Sequence, residues 1–272
     1  MRTIRELTAL YDGYVDIFRG ADGTLPPMMR LKRAHTARVV ANARAIAKGE
    51  RFSAEVTRAC EVAALLHDIG RYEQLRRYNT FRDADSVDHA VFSHDIVAEK
   101  GWLADDPARE AILKAVLYHN RRDVPMDMDP LIAAVVHTVR DADKLDIFRV
   151  LEEQIHTTDW RKDCTAFWNL PTTAPPSPAV LDAIRSNRPV DYQNIRSLAD
   201  FVLIQVGWMI GGLRYATSRL LCAARGHLAF RQHFLHELTD DPSVDEICDL
   251  AAAFAAQDGR TDGRVVESPP CE

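Results

Sequence analysis

Between Ile4 and Phe18 the apolar residues Ile4, Leu7, Tyr11, Tyr14, Val15 and Phe18 recur at three- and four-residue intervals, and Gly20 follows the run. That spacing puts them on one stripe of an α-helix, with Gly20 expected as its C-cap. The pattern then repeats along most of the chain. After Pro26-Pro27 a second helix carries Leu31, His35, Val39 and Ile46 and stops at Gly49. Ser53 is suited to cap a third, whose stripe runs through Val56, Cys60, Ala63, Ala64 and His67 and which Gly70 is expected to end. A fourth helix, with His89, Ser93 and Val97, is expected from Ser86 to Gly101, and a fifth opens at Asp106-Pro107 and reaches His119. The sixth and longest opens at Asp129-Pro130, with Val136, Val139, Asp143, Ile147 and Val150 forming its inward stripe. The proline-rich stretch "NLPTTAPPSP" then interrupts, and helices are expected near 178–187, 197–223 and 243–258, the last begun by a capping box of Ser243 and Glu246. No segment alternates apolar and polar residues as a half-buried strand would, so the spacing predicts an all-α fold.

A chain of 272 residues can bury a substantial core. The continuous helical pattern predicts one domain over 1–258, with helices at about 178–258 packing back on a core at about 27–155; residues 259–272 lack periodicity and are expected to form a disordered tail. The net charge of −6 and the absence of any long basic run exclude a general nucleic-acid binder. The most apolar stretch, "LADFVLIQVGWMIGGL", contains Asp200 and Gln205 and soon meets Arg214, so it reads as a buried helix rather than a membrane span. Cysteines 60, 164, 222, 248 and 271 form no CxxC pair and no signal-like segment opens the chain, which predicts reduced thiols in a cytoplasmic protein.

Six polar residues interrupt the inward stripes: His35, His67, Asp68, His89, His119 and Asp143. An imidazole beside a carboxylate in an apolar setting is penalised by desolvation unless a hydrogen bond or a metal ion satisfies both. Any one of these histidines alone reads as a hydrogen-bonded core residue. As a set from five helices, four imidazoles and two carboxylates suffice to hold two divalent transition ions with positions left open. His67 and Asp68 diverge by about 100° at a helix end, which lets the histidine serve one ion while the carboxylate reaches the other. His94 falls about 140° round the helix from His89, off that face. His137, His156, His227, His233 and His236 lack such companions and read as solvated or structural.

The segments "LKRAHTARVV", "LLHDIGRYEQ", "SVDHAVFSHDIVAEKG", "VLYHNR" and "VRDADKLDIFR", in that order, resemble the HD-domain superfamily of metal-dependent phosphohydrolases, named for the His-Asp pair. "QVGWMIGGLRYATSRL" resembles the C-terminal helical extension of one bacterial branch. The resemblance implies an HD-type helical bundle in which His35, His67, Asp68 and Asp143 hold one ion, and Asp68, His89 and His119 the other, as in the subset that binds a second metal. It implies two ions per chain from manganese, iron, cobalt, nickel and zinc, since imidazole ligands argue against calcium and magnesium.

Two such ions lower the pKa of a shared water and hold it in line with a phosphorus centre. The expected function is therefore cleavage of a phosphoester of a nucleotide or other small phosphorylated molecule by a metal-activated hydroxide. Asp68 is the expected bridging catalytic carboxylate, and Arg71 and Lys144 are expected to take up charge on phosphoryl oxygens. Asn120, Arg121 and Arg122, following His119, are expected to orient an anionic group at the pocket mouth. Glu73 reads as a proton carrier, as a carboxylate orienting an imidazole, or as the partner of a neighbouring arginine. The alternative is a two-iron oxygenase acting on a small organic substrate, as in some relatives with the doubled ligand set. The expected partner is a small phosphorylated substrate, with homo-oligomerisation left open.

Overall fold

A computed structural model describes residues 1–164 and 167–259. Among these residues every regular element is helical, as the spacing predicts. The expected tail, apart from Gly259, and Cys271 lie outside the described residues. Two compact units make up the chain, Met1–Asp146 and Ile147–Glu272.

The first unit contains α1 (Ile4–Asp16), α2 (Pro27–Gly49), α3 (Ala54–Leu66), α4 (Gly70–Tyr78), α5 (His89–Lys100), α6 (Arg109–Tyr118) and α7 (Pro130–Thr157) as far as Asp146. Local chemistry sets the starts of these helices. Thr3 and Glu6 close a capping box on α1, and Pro27 occupies the first turn of α2, where its missing N–H is not needed. Ser53 Oγ accepts from the Val56 amide, and Asp88 accepts from Ala90 and Val91. Helix α3 is buried on every side from Ala59 to Leu66, and α1, α2 and α6 pack around it while α5 packs on α4 and α6. The His-Asp pair therefore lies at the end of the most enclosed helix of the unit.

Several expectations change here. Helix α1 stops at Asp16 rather than Gly20, and α5 starts at His89 behind the Asp88 cap rather than at Ser86. Gly70 does not end α3, which stops at Leu66; residues 67–69 form a turn, and Gly70 begins α4. The glycine is required by proximity: a Cβ there would lie 2.7 Å from the Ser93 amide nitrogen and 2.9 Å from Ser93 Oγ. On α7 the expected inward stripe holds at Val136 and Val139, both fully buried, but further along Ala142, Leu145 and Asp146 are buried while Asp143, Ile147 and Val150 are half-buried.

The second unit contains the rest of α7, α8 (Pro178–Arg185), α9 (Leu198–Gly207), a single π-helical turn (Trp208–Gly212), α10 (Ala216–Ala224), α11 (His227–Leu238) and α12 (Ser243–Gly259). The helix expected over 197–223 is thus interrupted by the π-helical turn and the non-helical residues 213–215; a Cβ on Gly211 would lie 1.7 Å from Asn187 Oδ1. The expected capping box of α12 is absent: the Ser243 amide donates to Asp241, and Glu246 pairs with Arg185 at 2.6 Å. Within this unit Arg231 of α11 is fully buried, lies over the Phe148 ring, and donates to Glu152, Gln205 and the Phe148 carbonyl. His227 donates to the same Glu152. Cys60, Cys222 and Cys248 are buried, and burial pushes each thiol up to about 12. No helix among the described residues is long and apolar enough to cross a membrane.

Candidate metal centre

The first unit brings all six expected ligands into one cluster. His35 reaches it from α2, His67 and Asp68 from the turn after α3, His89 from the first turn of α5, His119 from the end of α6, and Asp143 from α7. Asp68, 3 % exposed, divides the cluster by its two oxygens. Oδ2 lies 3.6 Å from both His35 Nε2 and His67 Nε2, while Oδ1 lies 3.6 Å from both His89 Nε2 and His119 Nε2. Asp143 Oδ1 joins the first side, 3.2 Å from His35 Nε2 and 3.8 Å from His67 Nε2. Two groups close enough to hold an ion are His35–His67–Asp143 and His67–Asp68–His119, so His67 borders both.

Each ring is oriented from behind by its Nδ1. His67 and His119 donate to the carbonyls of Ala64 and Val116, at 2.7 and 2.8 Å. His35 Nδ1 meets Asp146 Oδ2 at 2.6 Å, and His89 Nδ1 meets Asp83 Oδ2 at 2.5 Å. In a neutral ring whose Nδ1 carries the proton, Nε2 is a bare lone pair. The Nε2 atoms lie 3.3 Å apart for His35 and His67 and 3.0 Å apart for His89 and His119, so each pair either shares a proton or, with both rings neutral and Nδ1 protonated, turns two lone pairs on one another. Facing lone pairs repel unless a cation lies among them, and Asp68 Oδ1 is buried without any hydrogen-bond partner. A divalent cation among them would satisfy such atoms, so the donor set fits a metal ion.

Electrostatics support the same assignment. Burial pulls His67 and His89 down to about 4, keeping both neutral and able to donate a lone pair. For Asp68 burial works against ionisation, but Lys32, His67 and Arg71 outweigh it and hold the carboxyl well below the usual range. Asp143 is likewise held low against burial, by His35, His67 and His119. His35 moves the other way: burial and Lys32 oppose its proton, and the carboxylates of Asp143 and Asp146 prevail.

The expected cations take different places. Arg71 points Nε at Asp68 Oδ1 from 3.4 Å, but its Nη1 is committed to Gln74, the Phe81 carbonyl and Asp83. Lys144 is half-buried and reaches the Arg140 carbonyl at 3.4 Å; burial and Arg140 draw its ammonium down to about 8. Asn120 and Arg121 both bind Asp88, the cap of α5, at 3.1 and 2.9 Å, and Arg122 pairs with Asp123. Glu73 accepts from Arg76 and Arg77, the ion-pair alternative. His94 pairs with Asp95, away from the cluster. Asp83, Asp88 and His89 form a third group of suitable spacing, whose carboxylates are already matched by Arg71, Arg121 and the His89 ring.

Four supporting residues escaped the sequence reading. Lys32 places Nζ 2.6 Å from Asp68 Oδ2, Asp83 and Asp146 orient the His89 and His35 rings, and Arg38 pairs with Asp146 at 2.5 Å. Helical spacing held a clue: Lys32 and Arg38 stand three residues either side of His35, and Asp146 three after Asp143, so each shares a ligand's face.

Residues 33–147 match the family model of the HD domain, so this stretch of the chain is similar to an HD domain. The family is one of metal-dependent hydrolases that bind divalent metals. Comparison with curated proteins and with solved structures finds no significant match in either.

Proposed function

We propose that the protein is a binuclear metal-dependent phosphohydrolase that cleaves a phosphoester of a nucleotide or another small phosphorylated molecule. His35, His67, Asp143 and Asp68 Oδ2 would hold one ion, and His89, His119 and Asp68 Oδ1 the second. The chemistry a bound divalent ion supplies in such a cradle is acidification of a water and neutralisation of phosphoryl charge.

The observation that carries this reading is the charge of the cluster. Of its four carboxylates, Asp68 pairs with Lys32, Asp83 with Arg71 and Asp146 with Arg38. Asp143 alone makes its ion-pair contacts, among the described residues, only with imidazoles. A single divalent ion therefore makes the loaded cluster positive and a second makes it strongly so, which favours an anionic substrate over a neutral one. Arg71 contributes by fixing its guanidinium beside Asp68 Oδ1, and Lys144 by placing a positive charge next to Asp143.

The test is hydrolysis of phosphomonoesters, nucleotides and cyclic dinucleotides by the manganese-loaded and iron-loaded protein, under argon and under air. Equal phosphate release in both atmospheres is expected. Turnover by iron-loaded protein that requires oxygen, with no phosphate released under argon, would replace this reading with the oxygenase.

A further inference from the structure

Lys32 differs from every other cation beside the cluster. Its ammonium carries three N–H donors, and among the described residues its only hydrogen-bond partner is Asp68 Oδ2 at 2.6 Å. The side chain remains 22 % exposed, so it runs from solvent to a carboxylate that is itself buried. Its Nζ lies over the Phe81 ring, 5.7 Å from the centroid. Arg71 borders the other oxygen of Asp68, but three acceptors hold its Nη1, and it serves as scaffold. Lys32 thus keeps two donors at the solvent-facing edge of the first side of the cluster.

An ammonium beside a carboxylate that is to ligate a cation opposes that cation by like-charge repulsion. Such a group makes physical sense where an anion completes the site. Resting on the hydrolytic reading above, we infer that Lys32 is a substrate-binding residue: one N–H stays on Asp68 Oδ2, and the other two donate to non-bridging oxygens of the substrate's phosphoryl group. The same α2 face carries His35, three residues on, whose ring is fixed by Asp146. The lysine and the first ligand set are therefore held in one rigid frame.

The test uses the full chain, with inorganic phosphate as the probe and manganese as the ion. Lys32→Met, Lys32→Arg and wild type are compared for manganese affinity, for phosphate affinity of the loaded protein, and for folding by circular dichroism. Lys32→Met is expected to bind manganese as tightly as wild type or more so, while phosphate binds about 10- to 100-fold more weakly, the size of a charge-assisted contact. Lys32→Arg is expected to recover part of the phosphate affinity. A merely structural lysine would instead lower manganese affinity on removal, and that result would overturn the inference. So would Lys32→Met or Lys32→Arg binding phosphate as wild type does in the one case, or no better than Lys32→Met in the other. If loaded wild type binds no phosphate, the hydrolytic reading fails as well; if wild type binds it and both variants match it, only the role of Lys32 falls.

Discussion

Asp68 touches both halves of the cluster through separate oxygens, and this divides the consequences of single substitutions. Replacing Asp68 by Ala should remove at least one ion and all hydrolysis. His89→Ala or His119→Ala should leave one ion on the side of His35, and His94→Ala should leave both. Metal stoichiometry on folded protein checks this; loss of an ion from His94→Ala would require the ligand face of α5 to be redrawn. The carboxylates behind the rings have a subtler effect. Asp146 binds His35 Nδ1 and Arg38, so Asp146→Asn keeps every ligand yet lets the His35 ring choose another tautomer. Manganese affinity should fall about 10- to 100-fold, measured by competition with a chelator; unchanged affinity would mean that the ring is held by packing alone.

Helix α5 reaches the cluster only because it can approach the turn after α3 closely, with Gly70 N–H donating to Ser93 Oγ at 2.9 Å. A methyl at Gly70 would strike Ser93 backbone. Gly70→Ala should cost about 1–3 kcal/mol and shift α5, so the ion bound by His89 should be lost before the ion bound by His35. Urea unfolding with metal analysis checks both; equal loss of the two ions would deny the role given to α5. The signals legible in the sequence were of this local kind. Ser53, Pro27 and Gly101 mark helix ends because capping is settled within a few residues, and the six ligand types stand out because histidine and aspartate are rare on apolar stripes. What escaped depends on distance along the chain: Asp146 is identified by His35, 111 positions away. Helix α11 was missed because its buried face includes Arg231, whose side-chain partners Glu152 and Gln205 lie on other elements, and the close approach that leaves room only for glycine at 211 is likewise to a residue outside its own helix, Asn187. The departure of the α7 stripe after Val139 has the same origin, since only tertiary contacts turn Asp146 as well as Asp143 towards His35.

Across the whole molecule, the cluster draws on five helices or their ends, so ions that bind it bind only folded chain. Removing them with a chelator should lower the unfolding temperature, and metal at 100 to 1,000 times Kd should restore about 3–4 kcal/mol. An identical melt with and without chelator would show that no ion is held. The second unit has its own pH signature. Burial lowers the His227 imidazole below 6.5 despite Glu152, so below that pH the unfolded chain takes up a proton that the folded chain refuses, and stability falls. Glu152 is held below 4.5 against burial by His227 and Arg231, and its contribution is lost in turn as pH falls further. Urea midpoints between pH 7.5 and about 4.5 should decline less for His227→Gln than for wild type; parallel curves would exclude this source. One last consequence follows from the orientation of the four rings by Ala64, Val116, Asp83 and Asp146. Each ring then presents an Nε2 beside carboxylate oxygens, a donor set that does not by itself select among first-row ions, so affinity would follow the Irving–Williams order, with copper(II) tightest. Which ion a molecule carries is then decided by the supply it meets while folding, and a preparation exposed to copper would fill with it ahead of manganese.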